Sequence, residues 1–290
     1  MKKALAIDIG GTKTSYCIID KSGKIISDIN KIKTEKTVEK ILQNLKKIIK
    51  DKEDSVDCIA IATAGAVNLQ NNKVISSTGN LPKGYSDIDF SKLSNKKVFL
   101  ENDANAAAWA EYKIGAAKGH SNTIIVTLGT GVGSGIIVNN KLLKGKNGAA
   151  GEMHFKIYPD KRRKCTCGSY DCWEAYASGS GLKKTAEEVY NNKEVTTYDV
   201  ISGLKENNKK AKEAFEKWQN DIIVGCVGLT NIFDPDSIVM SGSMAEFLEY
   251  KKIEKIVNSD IVTTPTKIIK AKFDNNAGMI GAALLALEEV

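Results

Sequence analysis

The sequence predicts an α/β protein made of two similar halves, and three observations support this. A short apolar run, a glycine-rich turn and a second strand-like run occur near the start of each half, with turns at Asp8–Thr14 and Gly129–Gly135. Short apolar runs then alternate with longer amphipathic stretches, as strands alternate with helices in α/β proteins. Some runs, such as Val56–Ala62, are almost wholly apolar, which is typical of strands covered on both faces. The order is, loosely, β-β-β-α-β-α in each half.

The first half is predicted to begin with a three-stranded meander. The stretch that follows it places Val38, Ile41, Leu45 and Ile48 on one stripe at helical spacing, which predicts an amphipathic helix. Two buried strands and an alanine-rich helix come next. The predicted elements are strands Ala4–Asp8, Ser15–Asp20 and Lys24–Asp28, helix Thr37–Lys50, strands Val56–Ala62 and Val98–Leu100, and helix Ala104–Ala116.

The second half repeats the strand, turn and strand and then becomes helical. Asp234-Pro235 ends a long predicted helix, because proline cannot continue it. The predicted elements are strands Ile124–Leu128 and Ile136–Val138, helices Glu174–Tyr190 and Lys209–Ile232, strands Ser237–Ser241 and Thr266–Phe273, and helix Asn275–Leu287. We expect an N-terminal domain at 1–118, with 275–290 packing back on it, and a C-terminal domain at 119–274 that carries a cysteine-rich loop.

Composition excludes several classes of protein. Of 290 residues, 42% are hydrophobic and 27% charged, as in an ordinary globular protein, and no apolar stretch reaches membrane-spanning length. The chain enters its first strand directly, without a signal peptide, so we expect a cytoplasmic protein with no membrane partner. The net charge is +7, and many of the lysines lie in predicted helices, where a solvated helix face explains most of them. No aromatics are interleaved with the basic residues, which disfavours nucleic-acid binding.

The two glycine turns are candidate phosphate-binding loops. Glycine lets the backbone approach an anion closely, and the neighbouring hydroxyl and N–H groups supply donors. The commoner phosphate motifs do not fit, because no G-x-x-x-x-G-K-[ST] occurs and a strand, not a helix, follows Gly129–Gly135. The alternative is a pair of tight hairpins with glycine where φ is positive.

The six cysteines fall into two groups. Cys17, Cys58 and Cys226 lie in apolar contexts and are predicted core residues. The other three lie within eight residues of one another, which in a cytosolic chain is more typical of a metal site than of disulfides. A histidine eleven residues upstream would complete a tetrahedral zinc site. The candidate ligands are Cys165, Cys167, Cys172 and His154; the alternative is three reduced thiols on a mobile loop.

Two aspartates lie at or just beyond the ends of predicted strands and are candidates for chemistry. Asp103 follows a strand and begins a helix, so it suits either a general base that accepts a hydroxyl proton or a simple N-cap. Asp8 lies beside the first glycine turn, where it would hold Mg²⁺ through water or accept a hydrogen bond from the turn backbone.

Taken together, these motifs resemble the ROK family of sugar kinases and sugar-responsive repressors, within the actin/hexokinase-like ATPase fold. The resemblance covers essentially the whole chain. It rests on the two glycine turns, on Glu101-Asn102-Asp103-Ala104-Asn105-Ala106-Ala107, and on Cys165-x-Cys167-Gly168-x-x-x-Cys172-x-Glu174 followed by Ser178-Gly179. It implies a two-domain actin-like ATPase (ribonuclease H-like) fold with the active site in the interdomain cleft.

The resemblance also implies roles for individual residues. Asp103 would be the catalytic base, and zinc would be held by His154, Cys165, Cys167 and Cys172. Sugar-binding residues would be Gly65, Asn80, Asn102, Asp103, Glu152, His154 and Glu174. ATP- and phosphate-binding residues would be Asp8, Gly10, Gly11, Thr12, Lys13, Thr14, Thr130, Gly131, Gly133, Gly242 and Ser243.

The chain departs from the family pattern at two places. Glu152-Met153-His154 is one residue shorter than the usual Glu-x-Gly-His, and Asp171 stands where a glycine normally precedes the last cysteine. The shorter motif leaves open whether His154 binds zinc, sugar or both.

The function that the resemblance implies is transfer of the γ-phosphate of ATP to the 6-hydroxyl of a hexose or N-acylhexosamine, with Mg²⁺, by a homodimer. Three stretches, Ala106–Tyr112, Lys141–Gly145 and Ala277–Ala283, resemble N-acetylmannosamine kinases, so N-acetylmannosamine is favoured over glucose. A glucokinase or fructokinase is the alternative. A sugar-sensing DNA-binding regulator is disfavoured, because only seven residues precede Asp8. A catalytically weak sugar-binding protein is disfavoured by the intact glycine turns and Asp103.

Overall fold

Two five-stranded sheets form the framework of the chain. The structure is a computed structural model and describes residues 1–68, 72–76 and 81–290. Contacts along the chain divide it into a first unit, Met1–Gly119 with Gly135–Gly151 and Lys272–Val290, and a second unit, His120–Ser134 with Glu152–Ala271. Within the described residues, no helix is both long enough and apolar enough to cross a bilayer.

The first unit is built on a sheet with strand order β3-β2-β1-β4-β7. The first three strands form an antiparallel meander, and the strands at the other edge run parallel to β1. Its strands are β1 (Lys3–Ile9), β2 (Lys13–Asp20), β3 (Asn30–Lys33), β4 (Cys58–Thr63) and β7 (Val98–Asn102), with a small hairpin of β5 (Ala66–Asn68) and β6 (Lys73–Ser76). Its helices are α1 (Val38–Lys52), α2 (Asp103–Ile114) and α8 (Ala277–Glu288).

The two faces of this sheet carry side chains of different size. Along β1 and β4, large residues such as Leu5, Ile7 and Ile59 face α1. The alternate residues, such as Ala4 and Ala60, are small and share a core with α2 and α8. The small face therefore lets two helices lie close to the sheet, as a twisted sheet with helices on both faces requires.

Helices α2 and α8 approach each other so closely that one contact excludes any side chain. A methyl group built on Gly281 of α8 would lie 1.6 Å from the carbonyl oxygen of Ala106 in α2. On another side of α2, a methyl group on Gly135 would lie 2.4 Å from Cβ of Ala108. The position of α2, which begins at Asp103, is thus fixed by backbone-level contacts.

The second sheet has the order β10-β9-β8-β11-β12 and mixes parallel and antiparallel pairs. Strands β8, β11 and β12 are parallel, and β9 and β10 form an antiparallel hairpin. These strands are β8 (Thr123–Leu128), β9 (Val132–Val138), β10 (Lys141–Leu142), β11 (Ser237–Ser241) and β12 (Lys267–Lys270). The second unit adds α3 (Glu174–Ala177), α4 (Gly179–Tyr190), α5 (Thr197–Lys205), α6 (Lys209–Phe233) and α7 (Tyr250–Asp260), and α6 packs against the other four.

The α/β class is confirmed, but several predicted elements were wrong. Residues Lys24–Asp28 are not a strand: Ile25 makes an isolated bridge to Ile19, and the third strand comes later, at β3. The predicted helix at Glu174–Tyr190 is two helices, because the side chain of Ser178 caps a new start by accepting from Gly181 N–H. Helices α5 and α7 were not predicted. The segment 135–151, placed in the second domain from sequence, groups with the first unit.

Replacing Gly281 by alanine should destabilise the first unit, because the new methyl group meets a backbone carbonyl that cannot move alone. We expect a loss of about 1–3 kcal/mol, the usual cost of overpacking. The matched control is Gly228→Ala in α6, where an added methyl group has no neighbour within 4 Å; helix propensity there predicts a gain of up to about 1 kcal/mol. Urea unfolding of both variants measures this, and equal stability would contradict the packing argument.

Candidate active site and metal centre

Asp8 lies near the end of β1, and the pKa of its carboxyl group is raised. Burial, reinforced by the negative charge of Asp103 and opposed by Lys13, raises the pKa of Asp8 to about 7. A methyl group on Gly278 at the start of α8 would lie 3.3 Å from Oδ2 of Asp8, so the carboxylate faces the beginning of that helix. A cation bound here would favour the charged carboxylate and release its proton.

The first glycine turn is held by threonines. Gly10 N–H donates to the carbonyl of Lys13 at 3.0 Å, and Thr34 donates its hydroxyl to the carbonyl of Gly10 at 2.7 Å. The hydroxyl of Thr14 lies 2.9 Å from that of Thr34, and both are buried. Thr14 therefore uses its hydroxyl to support the turn, while Thr12 and Lys13 are exposed.

Asn102, not Asp103, caps helix α2. The side-chain oxygen of Asn102 accepts from Asn105 N–H at 2.9 Å, and its amide donates to the carbonyl of Gly65 at 3.0 Å. Asp103 is the first residue of the helix, and its Oδ1 accepts from Ala104 N–H at 2.8 Å. The alternative reading of Asp103 as a simple N-cap is therefore not what the structure shows, because the neighbouring residue performs that task.

Of the two weaker candidates for the sugar pocket, Gly65 and Asn80, only Gly65 lies within the described residues. Gly65 has φ +98° and presents its carbonyl to Asn102, so its backbone conformation excludes most side chains. The other candidate of this kind, Asn80, lies outside the described residues.

Glu174 joins the second glycine turn to the cysteine-rich loop. Its Oε2 accepts from Val132 N–H at 3.0 Å, and Oε1 accepts from the hydroxyl of Thr166 and from Sγ of Cys165 at 3.4 Å. A methyl group on Gly131 would lie 2.6 Å from Oε2, so a glycine there is what permits the contact. Glu174, predicted to bind sugar hydroxyls, thus also positions the turn that contains Thr130, Gly131 and Gly133.

The second turn contacts the start of α4, and Gly242 contacts the end of β8. Gly179 N–H donates to the carbonyl of Gly129 at 2.8 Å. Gly242 has φ +86°, and a methyl group on it would lie 2.4 Å from the carbonyl of Leu128; Ser243 beside it is exposed. Gly242 and Ser243 therefore lie at the carboxyl ends of parallel strands β8 and β11, the edge at which α/β proteins bind ligands.

The four predicted metal ligands come together. The ligand atoms of His154, Cys165, Cys167 and Cys172 all lie within 4.8 Å of one another. Sγ of Cys165 is 3.5 Å from Nδ1 of His154, and Sγ of Cys167 is 3.7 Å from Sγ of Cys172. Tetrahedral zinc with bonds of about 2.0–2.3 Å separates its ligands by about 3.3–3.8 Å, so these residues fit the ion.

The histidine of the shortened motif reaches this cluster. Nδ1 of His154 faces Cys165, while Nε2 lies 3.5 Å from Oε2 of Glu152. A carboxylate on the second ring nitrogen is the usual partner of a metal-binding histidine, because it fixes the tautomer and the ring orientation. His154 therefore lies beside the cysteines although the motif Glu152-Met153-His154 is one residue shorter than the family pattern.

Asp171 organises the cysteine-rich loop, a role that the sequence did not reveal. Its φ of +58° is left-handed, and its carboxylate accepts from the N–H groups of Arg162 and Arg163 and from the hydroxyl of Tyr176, at 3.1, 2.9 and 2.6 Å. Burial alone would raise the pKa of Asp171, but these hydrogen bonds hold it below its ordinary value. The loop is thus fixed to α3 by a carboxylate where glycine was expected.

Arg163 fixes the same loop to α4. Its buried guanidinium pairs with Glu188 at 2.8 Å, bonds to the hydroxyl of Thr185 and the carbonyl of Gly181, and lies 4.4 Å from the ring centroid of Tyr176. A planar guanidinium with five donors satisfies such a set where a lysine would not. The signal was in the composition: the chain's two arginines are adjacent, at 162 and 163, just before the first of these cysteines.

Comparison with known proteins identifies the family. The model of the ROK family matches residues 4–289. The chain belongs to the ROK family. It is 33% identical to the glucokinase of Streptomyces coelicolor over an alignment 322 residues long, gaps included. That alignment covers 99% of this chain and 98% of the glucokinase. The chain is 32% identical to the N-acetylmannosamine kinase of Haemophilus influenzae over 292 residues, 97% of this chain and 94% of that one.

A solved structure is similar over the full length of this ROK protein. The crystal structure of a ROK family glucokinase from Streptomyces griseus in complex with glucose and AMPPNP matches with a TM-score of 0.83 and 29% identity, covering 99% of both chains. The actin-like ATPase fold expected from the motifs is confirmed. So is the enzyme class: the chain is an ATP-dependent carbohydrate kinase.

Replacing Asp171 by glycine, the residue that the family pattern carries, should loosen the cysteine-rich loop. Glycine tolerates the positive φ but removes the acceptor. The free energy of local opening of the loop should therefore fall by about 1–3 kcal/mol. Amide hydrogen exchange at Arg162 and Arg163 measures this directly. Asp171→Asn is the control, because its side-chain oxygen still accepts; unchanged exchange in the glycine variant would show that the carboxylate is not the anchor.

Proposed function

We propose that this kinase transfers the γ-phosphate of ATP to the 6-hydroxyl of a hexose or N-acylhexosamine, with Asp103 as the base. The observation that carries this proposal is that two neighbouring residues at the start of α2 have different roles. Asn102 caps the helix, so the carboxylate of Asp103 is not needed for capping and stands at the carboxyl end of parallel strand β7. A carboxylate at that edge suits proton transfer from a substrate.

The proposed reaction needs little covalent chemistry from the protein. As the bond forms between the sugar 6-oxygen and the γ-phosphorus, the bond to the β,γ-bridging oxygen breaks and ADP leaves. The hydroxyl proton passes to the carboxylate of Asp103. Asn102, Glu152 and Glu174 would bind sugar hydroxyls, while His154 would serve the metal cluster, so that positioning supplies most of the rate enhancement.

Each glycine turn is a candidate for binding ATP phosphates. In the first, Thr12 and Lys13 are exposed beside Gly10 and Gly11; in the second, Glu174 holds the backbone around Gly131. Mg²⁺ would supply charge neutralisation of the phosphates, and Asp8 would hold it through water. The raised pKa of Asp8 is consistent with a carboxylate that gains a cation when nucleotide binds.

We also propose a structural zinc ion in the cluster of His154 and the three cysteines. The support is that four ligand atoms of the right kind and separation already lie together. Zinc would cross-link the loop that carries Thr166, a hydrogen-bond partner of Glu174.

The sugar proposed is N-acetylmannosamine. Its support is the likeness of three stretches to N-acetylmannosamine kinases; the 33% identity to a glucokinase and 32% to an N-acetylmannosamine kinase do not separate the two sugars. Glucokinase activity is therefore equally compatible with the relatives. The homodimer stays a prediction from the family resemblance.

Asp103→Asn should keep the fold and sugar binding but lose about two to four orders of magnitude in kcat, the usual contribution of a general base. Asp89→Asn is the matched control, since Asp89 caps the short helix Phe90–Leu93 and asparagine caps equally well. Sugar-phosphate formation measures the rate. More than a tenth of wild-type kcat in Asp103→Asn would remove Asp103 from the role of base.

Protein purified without added metal should contain one zinc ion per chain. Cys172→Ala removes a ligand and should lose the ion, whereas Cys226→Ala, at a buried cysteine outside the cluster, should keep it. Elemental analysis gives the stoichiometry. A metal-free wild-type protein, or zinc retained in Cys172→Ala, would contradict the site.

N-acetylmannosamine should give the highest kcat/KM among N-acetylmannosamine, glucose, mannose and fructose at one ATP concentration. A pocket shaped for a substituent gains about 1–3 kcal/mol, or roughly tenfold to two-hundredfold. A tenfold or greater preference for glucose would make the protein a glucokinase and leave the kinase reaction standing.

A further inference from the structure

Glu101 forms an ion pair whose acidic partner is unusually buried. Its Oε2 lies 2.7 Å from Nζ of Lys144, and its side chain is 7% exposed, less than the acidic side chain of any other ion pair among the described residues. Exposed ion pairs contribute little, but a buried carboxylate depends on its partner. Glu101 and Lys144 both belong to the first unit.

The other oxygen of Glu101 holds the residues on both sides of the proposed base. Oε1 accepts from Asn102 N–H at 3.0 Å and from the side-chain amide of Asn105 at 3.3 Å. Asn102 and Asn105 are themselves joined by the helix cap. One carboxylate therefore fixes the backbone just before Asp103 and a side chain within the first turn after it.

Lys144 is delivered by a loop that is itself anchored. The carbonyl of Lys144 accepts from Ala150 N–H at 3.2 Å, which closes the loop. A methyl group on Gly148 would lie 2.0 Å from the carbonyl of Val67, so the loop presses directly on strand β5. The backbone of Lys144, from which its ammonium group extends, is therefore held in place. The same loop continues along the chain to Glu152.

We propose that Glu101 and Lys144 act as a positioning pair for Asp103, and that Lys144 links the position of the loop at 144–150 to the base. The proposal rests on the proposed function, since it requires Asp103 to be the base. Without Lys144, the carboxylate of Glu101 is left buried without its cationic partner, so it moves toward water. This change weakens its hold on Asn102 and Asn105 and misplaces Asp103.

The test is Lys144→Met, measured in the wild-type protein and in an Asp103→Asn background. In the wild type, kcat for sugar-phosphate formation should fall by about tenfold to a hundredfold, the usual cost of a small misplacement, with KM for ATP unchanged. In the Asp103→Asn background, the same substitution should change the residual kcat by less than about twofold, because the group that it positions is gone. An equal loss in both backgrounds would show a merely structural role and overturn the proposal.

Controls separate positioning from loss of fold. Lys144→Arg keeps the charge and should restore most of kcat. Lys97→Met is the matched control, because Lys97 pairs with Glu289 at 3.4 Å on the surface, and its loss should leave kcat unchanged. If Lys144→Met does not fold, Lys144→Gln, which still donates to Glu101, is measured in the same two backgrounds and decides by the same criterion.

The outcome is distinguishable from failure of the proposed function. If Asp103→Asn keeps its rate, the base assignment fails. If Asp103→Asn is inactive while Lys144→Met keeps wild-type kcat, only the positioning pair fails.

Discussion

The approach of helix α8 to helix α2 is the constraint on which the first unit depends. At Gly281 the two backbones are close enough that no side chain fits between them, and this face of the sheet presents mostly alanines, with two cysteines, Cys17 and Cys58. Dense packing of this kind leaves α2 little freedom to shift or rotate. Because α2 begins at Asp103, the packing of small residues far along the chain determines where the proposed base stands.

Buried carboxylates organise the loops around this framework. Glu111, fully buried in α2, accepts from the N–H groups of Ala116, Lys272 and Phe273, at 2.8, 2.9 and 2.8 Å. Glu174 and Asp171 do the same for the second glycine turn and the cysteine-rich loop. A carboxylate has more acceptor capacity than any neutral side chain, so one residue can satisfy several backbone donors where the chain changes direction.

The sequence allowed the fold class, the glycine turns and the clustering of the four candidate metal ligands to be predicted, because each depends on residues close together along the chain. Apolar runs and glycine spacing are local signals, and four ligands within nineteen residues are recognisable without a structure. Thr34 was missed because it supports Gly10 from twenty-four residues away. Lys144 was missed for the same reason, since its partner lies forty-three residues earlier. The strand predicted at Lys24–Asp28 failed because Ile25 makes only an isolated bridge to Ile19, and the true edge strand, β3, is mostly polar.

The anchoring of the cysteine-rich loop by Asp171 and Arg163 has a kinetic consequence. Many small metal sites exist only once the ion is bound, so that uptake of the ion waits for the chain to fold around it. Here the loop that carries the three cysteines is held to α3 and α4 by Asp171 and Arg163, through hydrogen bonds that do not involve the ion. For the zinc ion proposed above, capture would then be limited by encounter and by release of thiol protons rather than by folding, and removal of the ion by a chelator would leave the loop in place.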